Sequence, residues 1–174
     1  MKKQIVKVSV FVLIAGLIAV LDQWTKSIAV MYLKDAADVV LIPDVLVLRY
    51  VENTGMAFGL LEGARIFFFA ATLIVVALIV FMVIRLPFKK RFLPLFLMLS
   101  GVTGGAVGNF IDRTFQGYVV DFIYVSAIRF PVFNTADIFV TVNAILLVIF
   151  LLFYYKDEEL KALLPFGRKK PKEP

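Results

Sequence analysis

The chain has no cysteine and no histidine among its 174 residues. Without cysteine there is no disulfide, no thiol nucleophile and no thiolate metal site. Without histidine, Ser-His-Asp and Cys-His catalysis and the common zinc sites are excluded too. Acid–base chemistry then falls to Asp, Glu, Lys or Tyr. Charge is also sparse, at 18% of residues against 61% hydrophobic ones. A soluble domain of this length has too little interior for so much apolar side chain, whereas lipid solvates apolar faces directly. No internal repeat is visible, which counts against an inverted-repeat transporter. The net charge of +6 does not indicate nucleic acid, because the basic residues gather at the ends of apolar runs.

Four apolar runs are present, at about Val6–Val30, Ile66–Ile84, Phe92–Ile111 and Ala136–Tyr155. Each is near the roughly 20 residues a helix needs to cross hydrocarbon. Backbone polar groups in lipid must be satisfied internally, so helices are expected. Met1-Lys2-Lys3 and the run behind it look like a signal peptide. However, no small-residue cleavage site follows, and the far end carries Asp22, Trp24 and Lys26. Trp24 suits an interfacial belt.

Lys2, Lys3 and Lys7 precede the first run; Arg85, Lys89, Lys90 and Arg91 join the second to the third. Lys156, Lys161, Arg168, Lys169, Lys170 and Lys172 follow the fourth. These 13 of 19 basic residues share one side of a four-span chain, which predicts cytoplasmic termini. Segments of about Met31–Arg65 and Asp112–Thr135 then face outward. Val39–Ile42 and Val45–Val51, separated by Pro43-Asp44, read as a small β hairpin on the membrane surface. The fold class expected is an all-α membrane protein: four transmembrane helices with a small extracytoplasmic β-cradle at about residues 34–65. Residues 1–155 form one domain, and 156–174 a basic, disordered cytoplasmic tail that touches anionic headgroups.

Four acids sit at or near outer span ends: Asp22, Asp112, Asp121 and Asp137. Burying a carboxylate near hydrocarbon costs at least ~2.5 kcal/mol, so each needs a reason. Asp22 has Lys26 one turn later, and an i,i+4 ion pair accounts for both in a structural role. Asn109, Asp112 and Arg113 share one helix face, and Arg113 could pair with a carboxylate or hold a carbonyl. Gly101, Gly104, Gly105 and Gly108 precede them at helical spacing, a packing face for a neighbouring helix. Asp121 lies between Val120 and Phe122 in an apolar stretch too short to span, an awkward place for a plain loop acid. Asn134 and Asp137 have the spacing of a capping box, and Asp137 also sits at the positive end of a helix dipole. Capping and catalysis are both open for Asp137 on local grounds.

Together, Asp121 and Asp137 mean more. The connection between the third and fourth runs is short enough to bring both to one membrane depth. Two carboxylates about 3 Å apart share a proton, one acting as general base on water and the other as general acid toward a carbonyl. That machinery cleaves amides without His, Cys or metal, so no cofactor is expected. A small proton-coupled transporter also uses intramembrane acids, but it needs a polar path to both faces. A structural subunit leaves Asp121 unexplained.

Five motifs occur in order: Asp22-Gln23-Trp24-Thr25-Lys26, Asn53-Thr54-Gly55-Met56-Ala57-Phe58, Gly108-Asn109-Phe110-Ile111-Asp112-Arg113, Val119-Val120-Asp121-Phe122 and Phe133-Asn134-Thr135-Ala136-Asp137. They resemble the lipoprotein signal peptidase family (signal peptidase II), bacterial membrane aspartic proteases, over nearly the whole chain. The resemblance implies that residues 1–155 are a peptidase domain. It implies an endopeptidase of the cytoplasmic (inner) membrane that cuts prolipoproteins just before a cysteine bearing diacylglyceryl, working near the outer face. Asp121 and Asp137 match its catalytic pair, and Asn53, Asn109, Arg113 and Asn134 match polar residues around the site. Asp112 joins this supporting group through its shared face, and Asp22 matches an acid important for structure. The partners expected are the diacylglyceryl-modified substrate and membrane lipid, with no nucleic acid, for a chain acting as a monomer.

Overall fold

In the computed structural model, residues 2–55, 65–87 and 89–161 are described. Met56, Ala57 and Phe58 of the second motif, the last part of the expected β segment and the tail beyond residue 161 lie outside them. Four long helices occupy the four apolar runs: α1 (Lys2–Leu33), α2 (Arg65–Arg85), α3 (Leu93–Phe115) and α4 (Thr135–Phe153), followed by a short α5 (Asp157–Lys161). Among the described residues, α1, α4, and α3 with its leading 3-10 turn are long and apolar enough to cross a membrane; Phe69–Arg85 of α2 is a shorter apolar helix.

The helix α3 is the centre of the bundle, packed on α1, α2 and α4. Its glycines allow this. A Cβ on Gly104 would stand 2.8 Å from the Ala15 carbonyl oxygen of α1, and one on Gly105 would stand 2.5 Å from the Ala136 carbonyl oxygen of α4. Gly101 lies directly under the Asn143 side chain of α4, and Gly108 under Asp22 of α1. The stripe thus serves two neighbours, one on each side. The helix α4 turns Val142, Ile145, Val148, Ile149 and Leu152 outward, an apolar face that suits lipid.

Helix ends at the basic pole are closed by side chains. Lys7, buried in α1, donates to the carbonyls of Ile84 (3.0 Å) and Leu86 (2.8 Å) at the end of α2. A cation there satisfies orphan carbonyls and meets the negative end of the dipole. Pro94 stands in the first turn of α3, where a missing N–H costs nothing. The Leu95 N–H in the same turn donates to the Tyr155 hydroxyl at 3.2 Å. Phe11, Val83, Leu86, Phe92, Leu95, Leu99 and Tyr155 form the apolar core of this end.

The opposite pole carries a three-stranded antiparallel sheet in the order β1 (Val39–Ile42), β2 (Leu46–Asn53), β3 (Val119–Val125). The expected hairpin is β1–β2, turning where Asp44 adopts a φ of 58°, a conformation Asp tolerates. The apolar stretch around Asp121 becomes the third strand, so the cradle is larger than residues 34–65. Pairing sets Val51 opposite Asp121 and Asn53 opposite Val119, with an irregularity in β2 between Leu48 and Val51. At ~1.5 Å per residue, the 32 residues of α1 span about 48 Å, beyond the roughly 30 Å of hydrocarbon. Its projecting end, Ala29 and Leu33, packs under the sheet against Val120, Leu48, Tyr50 and Phe122.

Candidate active site

Asn134 is the N-cap of α4. Its side chain accepts the Asp137 N–H at 3.0 Å, and the Asp137 carboxylate accepts the Asn134 N–H at 3.1 Å. The capping box read from sequence is therefore present. It uses only part of each side chain. The other Asp137 oxygen accepts from the Asn109 amide at 2.8 Å, and the Asn134 amide donates to Asp121 at 2.6 Å. Capping and a site around the acids coexist, because Asn and Asp each have more hydrogen-bonding positions than a cap consumes.

Asp121 reaches this place through the backbone. Before α4, the Phe133 N–H donates to the Ile123 carbonyl at 3.0 Å, and the Phe133 carbonyl accepts from Ile123 at 2.8 Å. This isolated bridge fixes the following residue, Asn134, against β3. From the other side, β2 brings the Asn53 amide to the second Asp121 oxygen at 2.8 Å. Asp121 is only 2% exposed, whereas Asp137 is half-buried. Burial, foremost, and the nearby Asp137 charge push the Asp121 carboxyl up to about 6, against the pull of the Asn53 and Asn134 hydrogen bonds. A carboxyl poised there exchanges its proton near neutral pH.

Below the two acids lies a second polar layer centred on Lys26. Its ammonium sits 2.7 Å from Asp22 and 2.9 Å from Asp112, and it donates to the Asn109 carbonyl oxygen at 2.8 Å. All three charged side chains are buried. The oxygen of Asn109 also accepts from the Asn134 amide at 3.1 Å. With two donors on its oxygen, Asn109 must turn its NH2 toward Asp137. Asp22 further accepts the Ala136 N–H at 2.8 Å, and Asp112 accepts the Val120 N–H at 3.1 Å. The layer thus grips the backbone immediately before each candidate catalytic acid.

The structure gathers Asn53, Asn109, Asp121, Asn134 and Asp137 into one network, with Asp22, Lys26 and Asp112 behind it. Asp22 and Lys26 form the expected i,i+4 pair, but Asp112 joins it, which local spacing did not suggest. Asp112 pairs with Lys26. The Arg113 guanidinium donates to the Gly55 carbonyl at 3.3 Å, one of its two envisaged roles. Sequence reasoning missed Gln23, whose amide donates to Asp112 at 2.8 Å and to the Gly108 carbonyl at 3.2 Å. It also missed the Thr25 and Thr135 hydroxyls, 2.8 Å apart between α1 and α4. Polar side chains facing inward on an otherwise apolar helix were the available signal.

Long apolar helices around a buried carboxyl, joined through Asn134 to a second carboxylate, define a membrane protein with two linked acids at one pole. Comparison with known proteins narrows the class. Residues 14–153 match the family described as signal peptidase (SPase) II, and the chain belongs to that family. The lipoprotein signal peptidase of Brevibacillus brevis is 47% identical over 76% of this chain and 88% of its own. That of Geobacillus kaustophilus is 42% identical over 84% of this chain and 95% of its own. A solved structure described as a bacterial membrane enzyme, determined in meso at 2.3 Å resolution, superposes with a TM-score of 0.74. It is 35% identical and covers 86% of this chain and 93% of its own. The chain is thus a membrane protease of the signal peptidase II family.

Proposed function

We propose that this protein removes signal peptides from diacylglyceryl-modified prolipoproteins by aspartic catalysis, cutting before the lipid-bearing cysteine. Family membership and relatives named lipoprotein signal peptidase support the substrate class. The observation that carries the catalytic type is the pair of acids on one amide network. Asp121 is buried on β3 between the Asn53 and Asn134 amides, and Asp137 caps α4 beside it.

The pair holds one proton in its active form. At rest the proton lies on Asp121, whose burial disfavours charge. Asp137, half-exposed, takes a proton from water as the water oxygen attacks the scissile carbonyl carbon. Asp121 gives its proton to the carbonyl oxygen. Collapse of the tetrahedral diol breaks the C–N bond, and the amine leaves with a proton returned by the pair. Asn109 and Asn134 orient the carboxylates, and Asn53 and Arg113 face the substrate backbone or headgroup region. Asp112 supports this group from below, and Asp22 with Lys26 is structural.

In this reading four helices cross the bacterial cytoplasmic membrane, with both termini inside and the site near the outer face. Basic residues at one pole and the sheet at the other support that orientation. A lipid-anchored substrate remains in the bilayer, reaches the paired acids laterally and is handled by a monomer. The test is cleavage of a diacylated prolipoprotein and its unlipidated counterpart by purified protein. Only the first is cut, and Asp121→Asn or Asp137→Asn each abolishes cutting while the protein still inserts. Activity surviving in either variant, or equal cutting of both substrates, overturns the assignment.

A further inference from the structure

A cavity of about 310 Å³ opens at the basic pole, away from the paired acids. Lys7 of α1 and Lys89 and Lys90, just before α3, line it, together with Val10, Phe92 and Phe96. Among the described residues no acidic side chain lines the cavity. The nearby acid Glu159 is taken by Arg91, which it meets at 3.1 Å, while Lys89 and Lys90 make no ion pair among the described residues. Lys7 commits two of its three N–H donors to the Ile84 and Leu86 carbonyls, which leaves one.

The cavity therefore joins three lysine side chains to walls that are almost wholly apolar, at the pole where a bundle of apolar helices meets water. A soluble anion has no use for the walls, and an acyl chain none for the ammonium groups. The geometry points to a binding site for one anionic phospholipid of the membrane, its phosphate held by Lys89, Lys90 and the free Lys7 donor and the upper part of a chain against Val10 and Phe96. Basic pockets between membrane helices suit such headgroups. The site is independent of the peptidase reading, because it shares no residue with the network around Asp121 and Asp137.

The experiment uses the full chain in a neutral detergent at low ionic strength. Retention of phosphatidylglycerol is followed by native mass spectrometry and by the rise in unfolding temperature, with phosphatidylcholine and inorganic phosphate as separate arms. One phosphatidylglycerol stays bound, and neither phosphatidylcholine nor phosphate displaces it at equal concentration. Lys89→Gln/Lys90→Gln removes two exposed charges, so its unfolding temperature without lipid matches wild type. Its phosphatidylglycerol affinity falls by roughly 30-fold. Lys2→Gln/Lys3→Gln, with the same charge loss outside the cavity, retains the lipid. An equal loss in both variants means diffuse attraction and overturns the site. So does equal retention of phosphatidylcholine, which means an apolar groove, or displacement by phosphate, which means a soluble-anion site.

Discussion

Gly108→Ala adds one methyl group and tests whether the layer beneath the acids holds them. By helix propensity alone the change favours the folded chain by about 1 kcal/mol. The structure opposes it. The new Cβ would overlap the Asp22 carboxylate oxygen and stand 2.9 Å from its Cγ, where about 3.4 Å is an ordinary contact. Asp22 is fully buried, and the same carboxylate holds Lys26 at 2.7 Å and the Ala136 N–H at 2.8 Å. Displacing it breaks a buried ion pair, a loss of ~3–5 kcal/mol, and orphans a backbone donor in the first turn of α4. The steric effect wins, with a net destabilisation of roughly 2–4 kcal/mol. For a chain of this size that lowers the unfolding temperature by roughly 5–15 °C. The lone Trp24, on α1, gives a fluorescence signal for the melt in detergent. Cleavage falls as well, because Ala136 immediately precedes Asp137. Gly16→Ala is the control: nothing lies within 4 Å of its added Cβ, so propensity acts alone and the melt moves slightly up. Were Gly108→Ala to behave like Gly16→Ala, with full activity, the packing and the role given to Asp22 would both be wrong.

Lys26→Met leaves Asp22 and Asp112 buried without their cation and costs about 3–5 kcal/mol; adding Asp112→Asn recovers part of the folded yield, as size-exclusion profiles would register. The pH dependence of stability follows from Asp121, whose folded value of about 6 stands above its ordinary 3.8. Between those values the folded chain binds more proton than the unfolded one. The stability that Asp121's proton contributes is therefore complete below about pH 4, falls by up to about 3 kcal/mol as pH rises through about 6, and then levels. Asp121→Asn flattens this part of the melting profile, and an unchanged profile would contradict the burial argument. Tyr155→Phe orphans the Leu95 N–H and lowers stability by about 1–3 kcal/mol, readable in the same melt.

Features encoded by near neighbours could be read before any coordinates. The β1–β2 hairpin, the Asn134–Asp137 box and the Asp22–Lys26 pair each lie within one short stretch of chain, and each apolar run is continuous in sequence. What escaped depends on pairing across long loops. Nothing local says that residues 119–125 join β2, because an apolar stretch of seven fits a strand, a loop or a membrane-surface segment equally. The register that sets Val51 opposite Asp121 follows from the irregularity after Leu48, which no residue there announces. The glycine periodicity was plain, yet which glycine faces α1 and which faces α4 depends on where two other helices lie. Lys7 looked like one more interfacial charge, and its capping of α2 needs contact across some eighty residues of chain.

The network around the acids draws on α1, β2, α3, β3 and the start of α4, with no two of its key amides and carboxylates adjacent in sequence except within the cap. If Asp121 and Asp137 are the catalytic pair proposed above, no fragment lacking one of these elements holds the whole site. On the proposed mechanism the site is complete only once the fourth helix has docked and Asn134 meets Asp121, so the last long helix in the sequence is also the one that finishes it. The same division ties the proposed site to the sheet, because β2 and β3 together set Asn53 against Asp121.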